Sequence, residues 1–124
     1  MIFKFGLAAA FVAVSLSPAF ADDPACTAPI PPVALDGATA TQEQMTAMHD
    51  DVVNFLKQSD DYQSCIVADL DAKRAKAKRM KIEFDPYQQK EAESLAAANQ
   101  RLKEKVGGEF NAAVHAFNDQ KVKG

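Results

Sequence analysis

Two cysteines, two histidines and a few methionines are the side chains in this sequence whose types could do chemistry. Cys26 and Cys65 stand far apart, and neither a CxxC nor a CxxCH arrangement occurs. That argues against dithiol redox catalysis and against covalent haem. An oxidising compartment would join the pair as a structural disulfide, since neither thiol has another partner in the chain. An intermolecular bridge and free thiols are the competing readings. Met45, Met48, His49 and His115 offer thioether and imidazole groups of the kind that hold Cu(I). Their spacing matches no metal motif, however, and methionines at helical intervals ordinarily fill cores. No metal or other cofactor is expected. Asp50-Asp51 and Asp60-Asp61 are adjacent pairs, so on a helix their carboxylates diverge and share no proton. Gly107-Gly108 has neither a following Lys-Ser/Thr nor a preceding strand, which removes a phosphate loop. No catalytic residues emerge, and the expectation is a chain that is not an enzyme.

The elements that would position these residues are helical. Apolar or small residues recur from Met45 through Met48, Val52, Phe55, Leu56, Ser59, Tyr62, Ile66 and Leu70 to Ala77, Met80 and Phe84. Steps of three and four make one stripe of an α-helix and fit no strand alternation. Thr41 with Gln44 forms a capping box at the start, and Asp85-Pro86 is the expected stop. Asp85 as N-cap, Pro86 at the first helical position and Gln88 then open a second helix. Its stripe runs through Leu95, Leu102, Val106, Phe110, Ala113 and Phe117 to about Asn118. The pair Gly107-Gly108 costs roughly 2 kcal/mol in a helix interior, so a kink or break is expected there, or else a close-packed neighbouring backbone. So short a connection makes the helices antiparallel neighbours: an all-α, coiled-coil-like hairpin over residues 41–124. A turn at Phe84–Asp85 would set His49 opposite the region of residue 120 and His115 opposite that of residue 54.

Two helices alone make a seam, weakened here by the polar positions Ser59 and Asn99. Either the segment before them covers one side, or two hairpins pair into a four-helix bundle. That segment, residues 22–40, carries Pro24, Pro29, Pro31 and Pro32 and then the turn signal Asp36-Gly37. Such a composition favours an extended polyproline-like arm. Cys65 lies 24 residues beyond Thr41, roughly 36 Å along a helix. The 15 residues between Cys26 and Thr41 span about 46 Å when extended. An arm that doubles back near Asp36-Gly37 and runs nearly straight along the helix therefore reaches Cys65.

Residues 1–21 read as a secretory signal peptide. Lys4 supplies the positive start, Leu7 to Leu16 an apolar stretch too short to span a bilayer, and Ala19-Phe20-Ala21 the cleavage site. Ser15, Ser17 and Pro18 interrupt the run too early for an anchor, and Cys26 lacks the lipobox of a lipoprotein. Cleavage after Ala21 leaves 103 residues, with 13 basic against 17 acidic side chains and a net charge of −4. That balance argues against nucleic-acid partners, and no later apolar run predicts stable membrane insertion. One local departure is the run from Lys73 to Lys81, with six cations in nine positions. The favoured reading is a solvated helix end that suits the negative pole of the dipole and is neutralised across the turn by Glu83, Asp85, Glu91 and Glu93; the alternative is contact with lipid headgroups or an acidic partner.

The set Cys26…Pro29…Pro32…Asp36-Gly37-Ala38-Thr39-Ala40-Thr41, with Tyr62-Gln63-Ser64-Cys65 and Phe110-Asn111, resembles a group of small exported proteins of alphaproteobacteria. The resemblance covers most of the mature chain. It implies export to the periplasm or beyond and a cysteine pair, with no activity attached. A fainter similarity links the chain to periplasmic helical-hairpin chaperones of the Spy/CpxP type, through a Thr-x-x-Gln at Thr41–Gln44. The reading that follows is a non-enzymatic periplasmic structural or interaction module that binds another protein or itself, as a homodimer. A client-binding chaperone is the alternative, and copper handling through Met45, Met48, His49 and His115 a distant third.

Overall fold

The computed structural model describes residues 26–123. The expected signal peptide, its expected cleavage after Ala21 and the first residues of the arm lie outside that range. The described chain is an extended arm followed by two long antiparallel helices, α1 (Gln42–Met80) and α2 (Pro86–Lys123), packed along each other. The expected all-α hairpin with a disulfide-stapled arm is the fold. No strand occurs among the described residues, and no helix there is long and apolar enough to cross a membrane.

Local chemistry accounts for the helix ends. Thr41 Oγ1 accepts from the Gln44 amide at 3.2 Å while Gln44 Oε1 accepts from the Thr41 amide at 2.9 Å, so two otherwise unpaired donors are satisfied. Asp85 Oδ1 accepts from the Tyr87 amide at 2.9 Å, and Pro86 follows as the first helical residue. The end of α1 differs from expectation. It stops at Met80, not Phe84, because Lys81 turns into the left-handed region at φ 55°. The Ile82 amide then reaches Ala77 O at 3.0 Å and the Lys81 amide reaches Lys78 O at 3.2 Å, a Schellman closure built without glycine.

This earlier stop shifts the register. Gln63 meets Gln100, Arg74 meets Gln89 and Gln42 meets Lys121, which centres the hairpin near Lys81–Ile82. His49 consequently lies against Phe110, with ring centroids 5.9 Å apart, instead of facing residue 120. Neither the break nor the close-packed backbone expected at Gly107-Gly108 occurs. Helical structure runs through both residues to Lys123, neither has positive φ, and a Cβ on either would meet nothing within 4 Å. No neighbouring backbone crosses there. Val106 is buried just before the pair and Phe110 packs on the core just after it, so the seam holds the helix through the weak point.

The core sits at the open end of the hairpin. Met45, Met48, Val52 and Phe55 of α1 meet Val106, Ala113 and Phe117 of α2, with Ala40 and Leu35 contributed by the arm. Phe55 is 2 % exposed, and burying such a side chain contributes about 1.5–3 kcal/mol. Toward the turn the seam thins. Beyond Ile66 and Asn99 in the direction of the loop, Ala77 is the sole fully buried side chain among the described residues.

Candidate functional site

Cys26 and Cys65 are joined, with Cα atoms 5.8 Å apart. From that point the arm runs along the hairpin toward its open end. Asp36 reverses it: its carboxylate accepts from the Ala38 amide at 2.9 Å and its carbonyl from the Thr39 amide at 3.2 Å. The turn rests on α2, a contact that proline content and turn signals do not encode. Gly37 lies directly against the Ala113 backbone, and Gln120 Nε2 donates to Gly37 O at 2.8 Å and to Ala40 O at 3.3 Å.

Midway along the seam sits a polar rung. Ser59 is fully buried and its hydroxyl accepts from Asn99 Nδ2 at 3.4 Å. Asn99 Oδ1 in turn accepts from Gln63 Nε2 at 3.0 Å. No buried side-chain nitrogen or oxygen lacks a partner among the described residues, so these positions carry none of the desolvation penalty their types suggested. Asp60 pairs with Lys103 across the outside of the same level.

Beyond the staple, toward the turn, the groove is open. Tyr62, Ile66 and Leu70 of α1 face Ala92 and Leu95 of α2 around a cleft of about 120 Å³, with the Cys26–Cys65 bridge at its lower end. Leu95 is 44 % exposed there. The rim is charged: Lys73 Nζ bonds Asp69 Oδ2 at 2.7 Å, one turn away on the same helix. That hydrogen bond raises the Lys73 pKa above its ordinary value, with Glu91 across the cleft adding to the effect. An apolar floor with a charged rim of Asp69, Lys73 and Glu91 can receive an apolar side chain while the rim meets polar groups.

The groups singled out for chemistry fall elsewhere. Met45 and Met48 are core residues, while His49 is exposed and its Nδ1 lies 3.2 Å from Asp50 Oδ1. Met45 and His49 border a shallow surface depression at the open end, but Met48 and His115 do not. The four potential copper ligands are thus not presented together. No group of three His, Cys, Asp or Glu side chains that could hold a metal ion occurs among the described residues. Ser59 and Asn99 were legible as polar positions on an apolar stripe, and Leu70 and Leu95 as stripe residues. That Leu70 and Leu95 stay partly exposed depends on how the two helices pack, which residue spacing does not reveal. No protein-family model, curated protein or solved structure matches the chain.

Proposed function

We propose that the chain is an exported, non-enzymatic interaction module whose stapled base holds up a two-helix finger, and that the finger's open groove receives an apolar segment of another protein or of a second copy. The observation that carries this reading is the cleft between the helices on the turn side of the Cys26–Cys65 bridge, where Leu95 is 44 % exposed. Among the described residues, the arm covers the core on the open-end side of the bridge, while Ile66, Leu70, Ala92 and Leu95 line a cleft on its turn side. A cavity of this size accommodates one apolar side chain. Export is supported by the disulfide, which persists in oxidising compartments, and by the leader-like composition of residues 1–21.

The test is site-specific photo-crosslinking in the periplasm from a probe at Leu95, followed by mass spectrometry, with Leu95→Lys as the competing variant in pull-downs. One dominant partner lost in Leu95→Lys supports an interaction module, and self-crosslinks lost in the same variant support a homodimer. A broad set of unrelated clients would favour the chaperone reading. Capture that is indifferent to Leu95→Lys, with no crosslink from the probe, would remove the groove from the account.

A further inference from the structure

We propose that the tip of the hairpin, residues 76–87, is a docking surface for an anionic lipid membrane. It would meet the bilayer end-on, with its cations at the headgroups and three apolar side chains in the interface. This surface is separate from the groove and does not depend on the reading of it.

Three observations converge. Charge is segregated: residues 73–90 hold seven cations and two acids, whereas the mature chain holds 13 and 17. Much of that charge is also uncommitted. Lys73 is paired with Asp69, and Arg74 lies over the Phe84 ring and donates to Gln89. Lys76, Lys78, Arg79 and Lys81 are exposed, and none forms an ion pair with any described residue. The two opposing acids, Glu83 and Asp85, are both exposed, with Asp85 also serving as the N-cap of α2.

Apolar side chains stand among these cations. Met80 and Ile82 are each 58 % exposed and Tyr87 is 67 % exposed. Their exposure belongs to the fold and not to a loose loop, since the Ile82 amide is bonded to Ala77 O at 3.0 Å. A helix dipole explains cations in the last turn of α1, but it gives no reason to hold Met80, Ile82 and Tyr87 in water.

The combination suits a lipid surface. Each Lys or Arg near an anionic leaflet favours binding by roughly fivefold, the long stems carry their charge to the headgroups, and Tyr settles at the interface. A convex tip with separate apolar points fits a deformable fluid surface, whereas an acidic protein would need a matching hollow. No described helix can cross the bilayer, so the contact is peripheral.

The experiment is vesicle co-sedimentation of the oxidised mature chain, comparing phosphatidylcholine alone with phosphatidylcholine plus phosphatidylglycerol. Binding to the anionic vesicles only is expected, and it should weaken as salt shortens the screening length from about 8 Å at physiological strength to about 3 Å at 1 M. Lys78→Glu/Arg79→Glu/Lys81→Glu should reduce partitioning by on the order of a hundredfold or more, with unchanged far-ultraviolet circular dichroism. The chain has no tryptophan, so Ile82→Trp provides one reporter whose emission should shift to the blue on anionic vesicles. Absence of binding to anionic vesicles, or binding untouched by the triple reversal, would overturn the proposal. Retention on polyglutamate without vesicle binding would also overturn it and assign the tip to an acidic protein.

Discussion

Gly37 is laid backbone-to-backbone on Ala113: a Cβ at Gly37 would fall 2.7 Å from the Ala113 carbonyl carbon and 3.0 Å from its Cα. The α2 side cannot yield locally, because the obstruction is the main chain of Ala113. Gly37→Ala is therefore expected to lift the turn off α2 and to strain the Gln120 bonds to Gly37 O and Ala40 O. The cost should be about 1–3 kcal/mol, read as a fall in the denaturation midpoint, with helical content retained.

Removing the staple should act on the arm more than on the helices. The bridge closes a loop with a sequence separation of 39, worth about 4 kcal/mol on the chain-entropy account. Cys26→Ser/Cys65→Ser should lower the melting temperature, preserve most of the helical circular dichroism and open residues 27–35 to proteolysis. An unchanged melting curve with unchanged protease sensitivity would show the bridge to be idle.

The polar rung predicts an asymmetry. Asn99→Ala deprives the fully buried Ser59 hydroxyl of its partner, so a loss of about 1–3 kcal/mol is expected. Ser59→Ala/Asn99→Leu removes both polar groups and refills the space, which should be near neutral or stabilising. Denaturation of both variants by urea checks the pair.

Gly107 and Gly108 lie within α2 with room for a methyl group at each. Gly107→Ala/Gly108→Ala should stabilise the chain by about 2 kcal/mol through helix propensity alone. A loss of stability on thermal or chemical unfolding would mean that the helix bends at this point in solution.

These outcomes also mark where residue patterns suffice. Thr41, Gln44, Asp85 and Pro86 act through partners within a few positions, so the helix starts were legible, as was the apolar stripe that carries Met45 to Ile66. The stop of α1 was not. Lys81 adopts a left-handed backbone that a Cβ disfavours, and nothing in its type announces this, whereas Asp85-Pro86 advertises a stop a few residues too late. Because register follows from that stop, the positions opposite His49 and His115 were misplaced with it. The Gly107-Gly108 propensity penalty was real, but tertiary packing of Val106 and Phe110 outweighs it. The arm's seat on Ala113 and Gln120 joins segments some eighty residues apart, beyond the reach of local pattern. The groove is equally non-local, since the Cys26–Cys65 bridge that borders it joins positions 39 apart.

The position of the sulfur bridge has a mechanical consequence. Tension applied upstream of Cys26 and borne by the rest of the chain would pass directly across the bonded sulfurs into Cys65, midway along α1. Residues 27–64, which include the arm, the Asp36 turn and the α1 half of the core, form a covalent bypass that carries no direct load. A chain held or pulled by its leading end would yield first in the finger and in α2, while the arm and the first half of α1 remained slack.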